Sequence, residues 1–126
     1  MHTVSVNEFS ALLQELITDG LGEETLYVLQ PEHGAEPVTK ILPRVLSTDG
    51  QLFDLELYSG VASDRPEYSI GAAFKRVRQI LAQYPNAGEY TVTIFQCTHG
   101  AEPLAAIDIE RTTLMTERFA CTSTKK

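Results

Sequence analysis

The sequence has no tryptophan, only two cysteines in 126 residues, and no apolar run that approaches the length of a membrane span. A transmembrane helix needs about 20 mostly apolar residues, so none is predicted. The first residues also lack the basic segment and the apolar core that are typical of a signal peptide. These absences favour a cytoplasmic protein, in which Cys97 and Cys121 would be free thiols rather than a disulfide.

Basic residues are scarce in the first half of the sequence. Residues 1–63 contain ten acidic side chains and two basic ones, Lys40 and Arg44, whereas residues 64–126 contain seven acidic and eight basic ones. The overall net charge of −7 disfavours direct binding to nucleic-acid phosphates. An acidic surface instead favours a basic protein partner, including one whose surface normally holds nucleic acid. The alternative is that the acidity serves only solubility.

The most informative pattern is a repeated pentapeptide. The segment His-Gly-Ala-Glu-Pro occurs at residues 33–37 and again at residues 99–103, and Gln30 and Gln96 match at the same separation. Alternating apolar residues flank both copies, which predicts two β-hairpins around short loops. The glycine of each copy would supply the positive φ that such a loop needs.

Helical periodicity appears at the corresponding place ahead of each hairpin. The first helix is predicted to begin at the capping box of Ser5 and Glu8 and to end near Thr18. The second is predicted over residues 70–84, with Ser69 as its N-cap. The predicted core positions of the two helices include Phe9, Leu16, Phe74 and Leu81.

The remaining apolar alternation predicts strands. The first hairpin is predicted over residues 25–46 and a further strand over residues 52–58, with a weaker strand at 117–122. In the 52–58 strand, Asp54 and Glu56 alternate with apolar residues, so they are predicted to lie on a solvated face of the sheet.

Together these elements predict two copies of an α-β-β-β unit, at about residues 1–60 and 66–126. The predicted fold is a single α+β domain with a largely antiparallel sheet and both helices on one face, related by an internal pseudo-twofold duplication.

Signs of catalysis are weak. The sequence contains no nucleophile elbow, P-loop or dinucleotide-binding glycine motif. If the two repeated loops met, His33, His99, Glu36 and Glu102 would form a metal or acid/base site. However, no known ligand spacing is matched, and duplication of a turn explains the repeat more simply. We therefore expect no cofactor, no metal and no enzymatic activity, and a metal-dependent enzyme is the alternative.

One family resemblance is carried by residues spaced over about the first 45 positions. They are Met1, Thr3, Val4, Ser5, Glu8, Phe9, Leu13, Glu23, Glu24, Tyr27, Val28, Leu29, Gly34, Pro37 and Val38. This pattern resembles the N-terminal part of Phd/YefM-type antitoxins, which bind operator DNA and a toxin as dimers. The resemblance implies a DNA-binding repressor. Separately from it, Lys75, Arg76 and Arg78 on the second predicted helix would contact phosphate or an acidic partner, and the alternative is that they only form a solvated helix face. The sequence departs from that family in having a second helix-hairpin unit where those antitoxins carry a flexible tail.

The leading hypothesis is a small acidic, non-catalytic binding protein that engages one protein partner with a basic surface. It would be an inhibitor, an immunity factor or a chaperone-like module. Whether it also forms a homodimer is left open by the sequence. The predicted partner-binding residues are Glu32, His33, Glu36, Asp54, Glu56, His99 and Glu102.

Overall fold

In a computed structural model, residues 4–30, 34–45, 53–59, 67–96 and 100–116 are described. They form two α-helices, six strands and a 3-10 helix at Pro85–Glu89. In chain order the main elements are α1 (Val6–Thr18), β1 (Tyr27–Gln30), β2 (Gly34–Val45), β3 (Phe53–Ser59), α2 (Ile70–Gln83), β4 (Val92–Gln96), β5 (Gly100–Asp108) and β6 (Thr113–Thr116). Within the described part of the chain, no helix is long and apolar enough to cross a bilayer.

Local sequence determines where both helices begin. The Ser5 hydroxyl accepts a hydrogen bond from the Glu8 backbone N–H, and the Glu8 carboxylate accepts one from the Ser5 N–H, which confirms the predicted capping box. Ser69 caps α2 through the backbone N–H of Ala72, also as predicted. These bonds satisfy N–H groups that have no partner within the helix.

The six strands form a closed barrel in the order β1-β2-β3-β4-β5-β6, with β6 paired back to β1. The chain is α+β, but the predicted open, largely antiparallel sheet with both helices on one face is wrong. Two of the strand pairs, β3–β4 and β6–β1, are parallel and close the ring. Sequence periodicity identifies strands but not their non-local partners, so it did not detect these two seams.

The two hairpins have the same register. Tyr27 pairs with Pro37 in the first and Thr93 with Pro103 in the second, and these pairs occupy matching positions of the repeat. Gly34 and Gly100 take φ values of 76° and 74°, as their loops were predicted to require. The predicted strand at 117–122 lies outside the described residues. The strand that corresponds to β3 is β6, which begins earlier, at Thr113.

Both hairpin turns lie at the same end of the barrel. Because β6 is parallel to β1, and β5 is antiparallel to both β6 and β4, β4 runs in the same direction as β1. The connections after Gln30 and after Gln96 therefore leave the barrel at one end. The sequence alone left open whether the two repeated loops point together or apart, and the strand directions decide it.

The helices close the opposite end. The segments that precede β1 and β4 hydrogen-bond to the helix starts, through Ile70 N–H to the Glu24 carbonyl (2.9 Å) and Val6 N–H to the Tyr90 carbonyl (2.9 Å). One continuous apolar core joins the buried faces of both helices to the barrel interior. Phe9 and Leu16 are buried in it as predicted, whereas Phe74 and Leu81 are only half-buried.

The residue before each helix cap hydrogen-bonds to the hairpin of the other half of the chain. Val4 donates its N–H to the Leu104 carbonyl of the second half, and Tyr68 donates its N–H to the Val38 carbonyl of the first half. These two bonds are equivalent, because Val38 and Leu104 each follow the proline of their pentapeptide and Val4 and Tyr68 each precede the serine that caps their helix. Each helix thus begins on the hairpin of the other half, and the halves are interlocked.

Candidate binding site at the polar end of the barrel

Polar side chains collect inside the barrel at the end where the two hairpins turn. Antiparallel partners place their side chains on the same face of a sheet. Glu36 pairs with buried Val28, and Glu102 pairs with buried Ile94, so both glutamates face inward. Three further residues share this interior end by the same pairing and alternation, and the five define the polar end: Gln30, Glu36, Ser59, Glu102 and Thr116.

Gln30 organises the first half of the polar end. Its side chain leaves β1, is 2% exposed, and donates hydrogen bonds to the Ser59 hydroxyl (2.9 Å) and the Phe95 carbonyl (2.8 Å). Ser59 in turn donates to the Glu36 carboxylate at 3.2 Å. Neither β3 nor β4 is a sheet neighbour of β1, so Gln30 reaches across the interior to their seam. This relay fixes the orientation of Glu36.

The second half of the polar end contains Glu102 from β5 and Thr116 from β6. Thr116 pairs with Leu104 as Ser59 pairs with Val38, so the two hydroxyls occupy equivalent interior positions. Thr116 is 1% exposed, and its hydroxyl oxygen has no hydrogen-bond partner among the described residues. Leaving a buried hydroxyl unsatisfied typically costs about 1–3 kcal/mol.

The predicted contact residues divide into two groups. Glu36 and Glu102 lie together at the polar end, and both are half-buried. Glu32, His33 and His99 lie outside the described residues.

Asp54 and Glu56 do not belong to this site, and the prediction that they lie on a solvated face is wrong. They are 7% and 4% exposed, on the outside of the barrel wall. Arg44, across from Asp54 on β2, forms a two-point contact with that carboxylate, from Nε at 3.0 Å and from Nη2 at 2.7 Å. The Nη1 atom of Arg44 also lies 3.4 Å from Oε2 of Glu56. A paired, covered carboxylate offers little free acidic surface to a partner.

The ion-pair cluster shifts two ionisation equilibria. The hydrogen bond to Asp54 raises the pKa of the Arg44 guanidinium well above its ordinary value. Tyr58 donates its hydroxyl to Glu56, and this bond, followed by burial, raises the pKa of the phenol above its ordinary value of 10.0. Both groups therefore keep their protons to a higher pH than they would in the unfolded chain.

An aromatic pair lies beside this cluster. Tyr58 stacks on Phe95 with ring centroids 5.3 Å apart, and the Lys40 ammonium lies 5.7 Å from the centre of the Tyr58 ring. We name the outer surface of the β3–β4 seam the β3–β4 face; it comprises Lys40, Leu42, Arg44, Asp54, Glu56, Tyr58, Thr93 and Phe95. Sequence reasoning did not identify Arg44 and Tyr58 as members of one cluster, because they meet only through the β2–β3 register.

Sequence reasoning also missed the roles of Gln30, Ser59 and Thr116. For Gln30 a signal was present, since Gln96 repeats it at the spacing of the pentapeptide. Ser59 and Thr116 lie closer together in the chain than the two pentapeptides do, because the β5–β6 turn is shorter than the β2–β3 connection. Only the strand pairing reveals that they are equivalent.

Two alternative functions were predicted, a metal-dependent enzyme and an antitoxin-type DNA-binding repressor. Within residues 4–116, apart from the undescribed segments, no group of three or more His, Cys, Asp and Glu side chains is placed to hold a metal ion. Lys75 and Arg78 are exposed on α2, whereas Arg76 donates to the Ile41 carbonyl at 3.0 Å and so packs against β2. The metal site using His33 and His99 and the antitoxin-type repressor both stay predictions.

Comparison with known proteins does not assign the chain to a family. No model of a protein family matches it, and neither do any curated proteins or solved structures. The resemblance to Phd/YefM-type antitoxins is therefore still a prediction from the sequence.

Proposed function

We propose that this is a small, non-catalytic binding protein that engages a basic protein partner through the polar end of its barrel. It would act as an inhibitor, an immunity factor or a chaperone-like module, and the engaged surface of the partner would be one that otherwise holds nucleic acid. One observation carries the proposal. The duplicated hairpins turn at the same barrel end, and each directs a glutamate, Glu36 or Glu102, into it.

The distribution of charge supports a basic partner. The two cations of β2, Lys40 and Arg44, lie on the outer face and not inside the polar end. A carboxylate lies on each of two opposite strands, β2 and β5, at this end. Ionised carboxylates attract positively charged groups of a partner and accelerate their association.

A second set of carboxylates lies at the far end of the molecule. Exposed acidic side chains follow the outer side of α1 and the connection to β1, and they are Glu8, Glu15, Asp19, Glu23 and Glu24. Because the helices close the end opposite the hairpins, these residues add to the long-range attraction for a basic protein but do not line the polar end. They supply a matched control for charge.

The test is affinity capture from the native host at moderate salt, followed by mass spectrometry. Two double variants serve as baits beside the wild type. The polar-end variant combines Glu36→Gln with Glu102→Gln. The α1 variant, named after the helix that contains Glu15, combines Glu15→Gln with Glu23→Gln in the connection to β1. Both double variants lose two negative charges, so they have the same net charge. We expect a basic protein to be retained by the wild type and by the α1 variant, and to be lost with the polar-end variant.

Association and dissociation rates with the purified partner then distinguish direct contact at the polar end from long-range electrostatic attraction. The α1 variant should slow association modestly and in a salt-dependent way, whereas the polar-end variant should mainly accelerate dissociation. Equal retention by all three baits, or the absence of any enriched protein, would show that the polar end is not a partner-binding site.

A further inference from the structure

The two helices occupy equivalent places in the fold and carry opposite charge. The strand order repeats after β3, and β4 runs in the same direction as β1, so an approximate twofold axis along the barrel relates the two halves. This axis relates α1 to α2, which pack against each other at the end of the barrel that they close. Helix α1 contains acidic residues and no basic one, whereas α2 contains basic residues and no acidic one. The helical end, defined as the exposed faces of α1 and α2, is therefore acidic on one side and basic on the other.

The charges of the helical end are not neutralised within the described part of the chain. Glu15 and Asp19 in the last turn and C-cap of α1 are exposed, as are Lys75 and Arg78 of α2. None of these four side chains forms an ion pair with any residue that the structure describes. Because the opposite faces of both helices are buried in the core, the four charges point away from the barrel.

We propose that the helical end binds a second copy of this chain, with α1 of each copy lying on α2 of the other. A twofold axis perpendicular to the barrel brings two helical ends together with each helix on either its own counterpart or the other helix. The first arrangement places acidic on acidic and basic on basic faces, and like charges repel. The second places each acidic face on a basic one, so charge selects it.

A second copy fits this end better than an unrelated protein of one charge sign. Such a protein would attract one helix and repel the other. In a twofold dimer every contact occurs twice, so both helices are matched at once by partners with the same spacing. The polar end lies at the other end of the barrel and is not covered in this dimer. The inference is therefore independent of the proposed function.

The size of the helical end predicts a weak dimer. A helix of 13 or 14 residues is about 20 Å long and packed helices lie about 8–10 Å apart, so the two exposed faces together cover about 400 Å². A stable interface buries about 800 Å² on each partner. We therefore expect reversible dimerisation, with a dissociation constant of about 10 μM to 1 mM.

Sedimentation equilibrium of the full chain tests the proposal, at about 150 mM salt, where screening leaves mainly the charges that are in contact. The reversed-α1 variant combines Glu15→Lys with Asp19→Lys, and the reversed-α2 variant combines Lys75→Glu with Arg78→Glu. Each variant places like charges on facing helices, so each should weaken the dimer at least about tenfold. An equimolar mixture of the two should dimerise as the wild type does, because each reversed helix then meets an opposite charge.

The net charge provides a control. The reversed-α1 variant lowers the magnitude of the net charge of −7 by four units, so overall repulsion alone would make it associate more tightly than the wild type. The polar-end variant should dimerise as the wild type does. Tighter association of the reversed-α1 variant, a mixture no more dimeric than its components, or a wild type that stays monomeric at about 1 mM would overturn the inference.

Dilution of the ¹⁵N-labelled wild type gives a second measurement that needs no substitution. Amide shifts should change with concentration along α1 and α2 and stay constant at Glu36 and Ser59, whereas the reverse pattern would contradict the proposed dimer. The two proposals also fail separately. Capture that requires Glu36 and Glu102, from a chain that stays monomeric, would keep the partner-binding proposal and remove the dimer. A dimer that follows the helix charges, with capture that ignores both glutamates, would do the opposite.

Discussion

The two seams of the barrel have the same backbone pairing and very different outer surfaces. On the β3–β4 face, Lys40 pairs with Tyr58 and Leu42 with Glu56. At the equivalent positions of β5 and β6, Ala106 pairs with Met115 and Asp108 with Thr113, and Tyr27 of β1 pairs with Thr113. The cation and the tyrosine that meet on the β3–β4 face are thus replaced by an alanine and a methionine. The barrel geometry is common to both, so it does not require the cluster.

Identity between the two halves is concentrated near the hairpin turns. Gln30 and Gln96 are identical, as are the five residues of the two pentapeptides, although most other equivalent positions differ. Within the polar end, Glu36 and Glu102 are identical, whereas Ser59 and Thr116 differ. Turn geometry accounts for Gly34 and Gly100, but it makes no demand for an inward glutamate. The two inward glutamates are therefore the repeated feature on which the proposed function rests.

The largest expected effect tests whether the two halves share one core equally. Leu57 and Leu114 occupy equivalent positions and are both fully buried. Changing either to Ala should lower the free energy of unfolding by about 2–5 kcal/mol, through lost burial and a residual cavity. Urea denaturation measures this, with Leu42→Ala on the outer face as a control of much smaller effect. A loss in one half only would mean that the halves are not equivalent in packing.

The next largest effect compares the Arg44–Asp54 ion pair on the β3–β4 face with the exposed Arg111–Asp108 ion pair. Asp54→Asn removes the charge that meets Arg44 in a covered position, and it should cost about 1–3 kcal/mol of stability. Asp108→Asn removes the contact with Arg111, which is 3.6 Å long and involves an 82% exposed arginine side chain. Such an exposed pair contributes about 0–1 kcal/mol. Comparable losses for both variants would show that the cluster on the β3–β4 face is no more than a surface ion pair.

A smaller effect distinguishes the two hydroxyls of the polar end. Ser59→Ala breaks the relay from Gln30 to Glu36 and should destabilise the protein by about 0.5–1.5 kcal/mol. Thr116→Val replaces a buried hydroxyl, which has no partner in the part of the chain that the structure describes, by a methyl group of similar size, so stability should be unchanged or slightly higher. Thermal unfolding of the two variants side by side gives the comparison. A larger loss for Thr116→Val would mean that its hydroxyl is satisfied in solution.

The smallest effect is visible only in alkaline solution. The pKa of Tyr58 is raised in the folded state, so its hydrogen bond to Glu56 stabilises the fold fully below the unfolded pKa of about 10. This contribution is lost as pH rises from that value through the folded pKa. Ultraviolet titration should show one of the five tyrosines ionising late, and that component should vanish in Tyr58→Phe. Met115, its counterpart in the other seam, contributes no such component. An unchanged titration curve in the variant would contradict the assignment.

The sequence by itself determined the local elements. Ser5 with Glu8, and Ser69, mark the helix starts because their side chains satisfy backbone donors of the first helical turn. The period of apolar residues identified both helices and the hairpin strands, and the glycines identified the turns. The repeated pentapeptide also indicated Glu36 and Glu102 directly, since identity at a fixed spacing is visible without any structure.

Only the tertiary structure decided which surfaces these residues occupy. The parallel pairs β3–β4 and β6–β1 join strands far apart in the chain, and no local pattern specifies them. They turn an expected open sheet into a ring, which gives the polar end an interior and brings Gln30 to Ser59 and Phe95. The antiparallel β2–β3 register places Arg44 over Asp54 and Glu56, whose alternation in β3 had suggested a solvated face. Periodicity tells which side of a strand a residue lies on, but what covers that side depends on side chains that other strands supply.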